Sequence, residues 1–274
     1  MSSSRARNDR RRPPKPGGAR PGAGRQGSAR GRADKDGADW IWGWHPVCAA
    51  LANADRERPS RLLASPERAR ELAARFGTRG AAEITDPGAF AAVLPPGAAH
   101  QGAALKGPPP SPRALQALAE PAQGMLVMLD QLTDPQNVGA VFRSAAAFGA
   151  RGVILQERHA PALSGALAKA SAGAIDAIPH ARATNLSRAL ETLADLGWRA
   201  VGLDGAATEA LADVLDGRPT VLVLGSEGEG LRRLVGEHCD VLARIPMPGG
   251  FESLNVASAA AIALYEASRP RTLA

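Results

Sequence analysis

Three segments of the 274-residue chain place glycine, carboxylate, amide and cationic side chains where they could bind and transform a ligand. The first is LGSEGEGL (residues 224–231), predicted to link a strand to a helix, where many nucleotide sites lie. Its glycine order is G-x-x-G-x-G rather than G-x-G-x-x-G, and Glu227 and Glu229 would repel a pyrophosphate. The loop favours a neutral or cationic ligand; the alternative is a tight turn without a binding role.

The other two segments each open a predicted helix with polar side chains. DQLTDPQNVGAVFRSAAAFGA (130–150) has Asn137 at a helix start and Arg143 six residues later, on an otherwise small and apolar helix. IPMPGGFESLNVASAAAIALYEA (245–267) has Ser253 and Asn255 at the start of the last helix. A structural role is the alternative for both segments: Arg143 could extend into solvent, and Ser253 or Asn255 could be a helix cap.

Other chemistries have less support in the sequence. The five histidines show no zinc-like spacing with the cysteines, so we expect no metal site. The chain contains neither G-x-S-x-G nor G-x-x-x-x-G-K-[ST], which argues against a nucleophile-elbow hydrolase and excludes a P-loop. Two cysteines, the absence of an apolar leader and the lack of a bilayer-length apolar run predict a cytoplasmic protein that is neither secreted nor embedded in a membrane.

The net charge of +6 comes from the N-terminal residues. Residues 1–38 contain 11 Lys and Arg against 3 Asp, whereas the remainder contains 22 basic and 24 acidic residues. Pro, Gly and Arg dominate this segment, which predicts a disordered basic tail. Such a tail could be an arm that binds RNA phosphates or a solubilising extension.

The rest of the chain reads as two α/β units joined by a linker. Residues 39–106 alternate helices with strands and end in HQGAALKG, a predicted edge strand. Residues 107–123 are Pro-rich at both ends, which indicates a linker containing one short helix. In residues 124–274, apolar runs such as MLVML and TVLVL alternate with helices, which predicts a mostly parallel sheet covered on both faces.

Taken together, DPQNVGAVFRSAAAFGA, LVLGSEGEGLRRLVGEHCD and IPMPGGFESLNVASAAAIALYEA resemble, in this order, the SpoU/TrmH family of RNA ribose 2′-O-methyltransferases. The front unit is similar to the substrate-binding domain of the RlmB-type branch, which methylates a guanosine ribose in 23S ribosomal RNA. The resemblance implies a C-terminal SPOUT methyltransferase domain with a trefoil knot and a small L30e-like N-terminal domain that binds RNA. It also implies a homodimer and S-adenosylmethionine as the methyl donor.

The same resemblance implies roles for individual residues. Arg143 would orient the 2′-hydroxyl and the neighbouring phosphate, either as a literal base or by stabilising a developing alkoxide. Glu227 would orient Arg143 or Asn137, and Asn255 would hold the ribose or the loop. The implied catalytic residues are Asn137, Arg143, Glu227, Ser253 and Asn255, and the implied cofactor-binding residues are Leu224, Gly225, Gly230, Ile245, Met247, Ser253 and Leu254.

Three other functions stay open at this point. The first is a ribose methyltransferase of the same family that acts on transfer RNA or confers antibiotic resistance; the shorter transfer-RNA enzymes usually lack the front domain. The second is a non-catalytic ribosome-assembly factor that only binds RNA. The third is an NAD-dependent oxidoreductase, against which the glycine order counts.

Overall fold

The computed structural model describes residues 39–249 and 253–269, all within a compact unit that spans Ala33–Ala274. The predicted basic tail, residues 1–38, lies outside the described residues. Within the described ranges, no helix combines the length and the apolar character needed to cross a bilayer.

The front unit is built on a four-stranded sheet. Its strands are β1 (Trp40–Trp42), β2 (Arg61–Ala64), β3 (Glu83–Ile84) and β4 (Ala103–Lys106), in the order β1-β4-β2-β3. Its helices are α1 (Trp44–Ala52), α2 (Pro66–Phe76) and α3 (Pro87–Val93). The prediction that HQGAALKG ends the sheet as an edge strand is wrong, because β4 lies between β1 and β2 and pairs antiparallel with both. The three residues of β1, which no sequence pattern marked as a strand, are buried and form an outer strand of this sheet.

The second unit is a seven-stranded sheet in which every strand pair is parallel, as the apolar runs predicted. The strand order is β7-β6-β5-β10-β8-β11-β9. The strands are β5 (Met125–Leu129), β6 (Gly152–Gln156), β7 (His180–Ala183), β8 (Arg199–Leu203), β9 (Glu209–Ala210), β10 (Thr220–Leu224) and β11 (Val241–Arg244). The helices are α4 (Leu115–Ala119), α5 (Pro135–Ala147), α6 (Gly165–Ala170), α7 (Ala174–Ala177), α8 (Leu186–Asp195), α9 (Leu211–Val214), α10 (Arg233–Glu237) and α11 (Val256–Ser268).

Alternating side chains of the central strands bury two separate cores. Val127 of β5 packs on one face, in a core that includes residues of α5 and α11. Its neighbour Met128 packs on the other face, in a core that includes residues of α4 and α8. A buried parallel sheet of this kind keeps its strand ends fixed, so the loops at its carboxyl edge start from well-defined positions.

The Pro-rich segment before β5 packs on the second sheet. Leu118 and Ala119 of α4 are buried, and the indole Nε1 of Trp198 donates to the Ala119 carbonyl (2.9 Å). Upstream, the Arg113 amide donates to the His180 carbonyl on β7 (2.8 Å). The short helix expected inside this segment is therefore held by the sheet that follows it in the chain.

A buried ion pair joins the two sheets. The Arg56 guanidinium, just beyond α1, donates to both oxygens of Asp176 on α7 (2.7 and 2.8 Å), and both side chains are almost fully buried. Asn53 Nδ2 also donates to Asp176 (3.2 Å). Beside this pair the backbone at Gly173 is in close contact with α1. A Cβ on Gly173 would lie 2.6 Å from the Ala49 methyl. The contact fixes the orientation of the front unit on the second sheet.

The partly buried thiol of Cys239, just before β11, donates to the Val235 carbonyl (3.3 Å). Burial raises the pKa of Cys239 to about 12, and burial likewise raises the pKa of Cys48 on α1. Both residues are free cysteines.

The buried pair predicts a large effect of Asp176→Ala on stability. The substitution leaves the Arg56 guanidinium buried without its carboxylate and should cost about 3–5 kcal/mol of unfolding free energy. Thermal denaturation followed by circular dichroism measures this loss. Glu83→Ala is the control, because it breaks the exposed Arg61–Glu83 pair and should barely move the midpoint. An equally small effect of Asp176→Ala would contradict the role of the buried pair.

Candidate active site

A cavity of about 640 Å³ lies at the carboxyl edge of the second sheet. Four segments line it: residues 203–206 after β8, 224–230 after β10, 243–247 at the end of β11 except residue 246, and 253–256 with Ala259 at the start of α11. All seven residues implied as cofactor-binding are in this lining: Leu224, Gly225, Gly230, Ile245, Met247, Ser253 and Leu254. Four separate segments of the chain therefore meet around one space.

The glycine-rich segment forms a short hairpin that projects over this cavity. Ser226 and Gly230 exchange two backbone hydrogen bonds (3.1 and 3.0 Å), which close the hairpin at its base. Gly228 and Gly230 have positive φ angles of 88° and 68°. At Gly225 a Cβ would lie 2.1 Å from the Gly230 carbonyl carbon, so only glycine fits there. These requirements explain the G-x-x-G-x-G order without a phosphate-binding turn.

The hairpin carries Glu227 into a network with two asparagines. Glu227 Oε1 accepts hydrogen bonds from Asn137 Nδ2 (3.0 Å), Asn255 Nδ2 (2.6 Å) and the Val256 amide (3.3 Å). Asn255 Nδ2 also donates to Asn137 Oδ1 (3.0 Å). We call Asn137, Glu227 and Asn255 the Asn–Glu–Asn network. It ties the start of α5, the hairpin and the start of α11 together beside the cavity, whose lining includes Glu227 and Asn255.

Helix caps fix both asparagines of the network. Asp134 caps α5 and accepts hydrogen bonds from the amides of Gln136 and Asn137 (3.3 and 3.0 Å). Asn255 caps α11 through its Oδ1, which accepts from the amides of Ala257 and Ser258 (3.0 and 3.3 Å), while its Nδ2 points into the network. The capping role and the site role considered for Asn255 thus coexist in one side chain.

The two remaining residues of the implied catalytic set lie outside the network. Ser253 is exposed and lines the cavity. Arg143 is exposed on α5 and is not part of the cavity lining. Six residues of helix place it roughly 9 Å along the axis from Asn137 and on a different face. Arg143 is therefore open to solvent and separate from the cavity lining.

Sequence reasoning missed two residues that support the hairpin and a segment that lines the cavity. Asp130 and Arg232 form an ion pair at the base of the hairpin (2.7 Å). The acid that ends the apolar run MLVMLD was a usable signal for Asp130. Asp204, in the lining segment after β8, accepts a hydrogen bond from the Ala206 amide (2.9 Å). The described part of the chain holds no group of three or more His, Cys, Asp or Glu arranged for a metal ion.

Comparisons with known proteins agree on one family. The SpoU rRNA Methylase family model matches residues 124–265. An uncharacterised tRNA/rRNA methyltransferase of Mycolicibacterium smegmatis is 45% identical over 177 residues, which are 63% of this chain and 56% of that protein. The chain thus spans just over half the length of that relative. A protein of the same description from Mycobacterium ulcerans is 38% identical over 271 residues, covering 95% of this chain and 86% of the relative.

Solved structures resemble the chain over both sheets. The SpoU methyltransferase AviRb from Streptomyces viridochromogenes, in complex with AdoMet, has a TM-score of 0.70 and 26% identity, covering 84% of this chain and 88% of that one. An AdoMet-bound rRNA methyltransferase from Sinorhizobium meliloti has a TM-score of 0.69 and 26% identity, covering 83% and 85%.

The lack of space for a side chain at Gly225 predicts different effects for two glycine substitutions. Gly225→Ala forces a methyl group into the backbone of Gly230 and should destabilise the protein by about 1–3 kcal/mol. It should also weaken binding of S-adenosylhomocysteine in calorimetry. Gly236→Ala is the control, because a Cβ on Gly236 of α10 meets nothing within 4 Å and alanine favours a helix. Equal affinity and stability in the two variants would contradict this description of the hairpin.

Proposed function

The chain belongs to the SpoU rRNA methylase family, and from this we propose that it transfers the methyl group of S-adenosylmethionine to the ribose 2′-hydroxyl of a guanosine in 23S ribosomal RNA. The observation that carries the proposal is the cavity at the carboxyl edge of the second sheet, whose lining includes Glu227 and Asn255 of the Asn–Glu–Asn network. The proposal includes the SPOUT trefoil knot in residues 124–274 and RNA binding by residues 39–106.

The cavity suits S-adenosylmethionine in size and charge. Its volume of about 640 Å³ is in the range of small-molecule sites. Asp204, Glu227 and Glu229 outnumber the one cation of the lining, Arg244, and this excess of negative charge favours a sulfonium cation and disfavours the pyrophosphate of NAD. The bound donor supplies an electrophilic methyl group. The apolar side chains of Leu224, Ile245 and Met247 provide a surface for its adenine.

In this reaction the Asn–Glu–Asn network orients the residues of the site, and Arg143 contacts the RNA substrate. Glu227 orients Asn137 through their hydrogen bond, and Asn255 holds the hairpin against α11. Arg143 is exposed, and the positive charge of its guanidinium suits contact with an RNA phosphate and stabilisation of a developing alkoxide. Under this proposal the hydroxyl proton leaves to phosphate or water, so Arg143 need not act as a literal base.

A homodimer is the second part of the proposal. Ile262 and Tyr265 of α11 are 41% and 55% exposed, and the Tyr265 ring contacts Phe148 beside α5 at a centroid distance of 6.0 Å. Exposed apolar side chains next to one another on one helix are typical of an interface. Ile262 and Tyr265 are seven and ten residues beyond Asn255, so a second copy that covers this surface would lie roughly 10–15 Å along α11 from the site.

Two alternatives remain for the substrate and the activity. The curated relatives carry the joint description tRNA/rRNA methyltransferase, so a transfer RNA is the main competing substrate. A non-catalytic RNA-binding protein would not need the Asn–Glu–Asn network, whose carboxylate accepts three hydrogen bonds. This network favours an enzyme.

Methyl transfer to defined RNAs tests the proposal. The full chain is incubated with labelled S-adenosylmethionine and with unmodified 23S ribosomal RNA or unmodified transfer RNA, and 2′-O-methyl positions are mapped. We expect one guanosine in 23S RNA to be modified, and calorimetry to detect S-adenosylhomocysteine but not NADH. Modification of transfer RNA alone would replace the substrate, and binding of NADH without S-adenosylhomocysteine would refute the methyltransferase.

Arg143→Ala should separate chemistry from cofactor binding. Removing charge stabilisation in the transition state typically lowers the rate about 10²–10³-fold. The affinity for S-adenosylhomocysteine should stay unchanged, because Arg143 is outside the cavity lining. Arg188→Ala, which removes an exposed cation on α8, is the control and should keep full activity. Near-normal turnover of folded Arg143→Ala would contradict the assigned role.

A further inference from the structure

We infer that Asp130 and Arg232 are positioning residues that hold the Glu227 hairpin (residues 225–231) in its active place. The inference rests on the proposed function, because it assigns Asp130 and Arg232 to the same reaction. Neither residue lines the cavity, so both act through the hairpin.

Asp130 contacts the chain immediately before and immediately after the hairpin. Its backbone amide donates to the carbonyl of Leu224, the last residue of β10 (2.8 Å). Its carboxylate Oδ2 accepts from the Arg232 amide (2.9 Å), and Oδ1 accepts from Arg232 Nε (2.7 Å). Asp130, just after β5, therefore holds Leu224 and Arg232, the residues on either side of the hairpin, which we call its two feet.

Burial turns these contacts into a constraint on position. The Asp130 side chain is 0% exposed, whereas that of Arg232 is 40% exposed. A buried carboxylate is tolerated only with hydrogen-bond donors and an opposite charge, and here Arg232 supplies both. If the distal foot of the hairpin moved away, Asp130 would lose these partners. The cost of an unpaired buried charge thus keeps Arg232, and with it the hairpin, in one place.

The constraint reaches Glu227 because the hairpin is stiff. The paired hydrogen bonds between Ser226 and Gly230 and the lack of space at Gly225 leave little freedom between the feet and the tip. At the tip, Glu227 must keep three donors within 2.6–3.3 Å of one oxygen. Hydrogen bonds weaken steeply outside this range, so a shift of the feet disrupts the Asn–Glu–Asn network.

Substitution of Arg232 tests the inference in the full-length protein. Arg232→Gln removes the ion pair, Arg232→Lys keeps the charge without the planar fork, and Arg233→Gln is the control because it breaks the neighbouring exposed pair with Glu237 (2.6 Å). All measurements are made well below the lowest melting temperature of the set, where loss of stability alone does not change the folded population.

We expect Arg232→Gln to lower kcat on the order of 10- to 100-fold, with Arg232→Lys intermediate and Arg233→Gln unchanged. The effect of Arg232→Gln should largely disappear in a Glu227→Gln background, because both substitutions act on the same network. Independently of activity, the amides of Ser226 and Gly230 should exchange their hydrogens faster in Arg232→Gln.

Each outcome separates this inference from the proposed function. If the wild-type protein methylates no RNA, the proposed function fails, while faster exchange at Ser226 and Gly230 still supports positioning by Arg232. If exchange and kcat are both unchanged in Arg232→Gln, or if the effects of Arg232→Gln and Glu227→Gln are fully additive, the positioning role is overturned. If Arg232→Gln does not fold, Arg232→Lys is judged by the same exchange and kcat criteria.

Discussion

A single carboxylate oxygen, Oε1 of Glu227, accepts hydrogen bonds from side chains that lie 90 and 28 residues away in the chain. Because that oxygen has three donors, the start of α5, the hairpin and the start of α11 must converge within a few ångströms. The sheet makes this possible, since parallel strands deliver their following loops to one edge. The shape of the cavity depends on this one point of convergence, and each helix cap or hairpin contact around it serves to keep the donors in range.

Local sequence patterns predicted much of the fold. The apolar runs MLVML and TVLVL predicted buried parallel strands, and the structure pairs them in parallel as β5 and β10. The glycine order in the hairpin counted against a dinucleotide-binding turn, and the close approach of Gly225 to Gly230 explains that order. These features depend on neighbours in the sequence, which is why they could be predicted.

Features that depend on distant residues were missed. The position of β4 in the interior of its sheet follows from its pairing with β1, where Leu105 is the partner of Ile41, 64 residues earlier. The sequence patterns did not mark β1 as a strand. Asp130 and Arg232 are 102 residues apart in the chain, and the local spacing of apolar and polar residues does not predict their contact. The resemblance grouped Asn137, Glu227 and Asn255 as site residues, but their mutual hydrogen bonds only become visible in three dimensions.

The buried Arg56–Asp176 pair has a consequence for how an RNA would be selected. A front unit on a loose tether could reach a range of nucleotides, and its choice would depend mainly on local sequence. A front unit held rigidly on the second sheet stays at one fixed distance from the cavity. Under the proposed function, an RNA is a substrate when the same distance separates the element that binds the front unit from the target ribose. The protein would then select RNA by a distance in its folded structure as well as by the identity of a base.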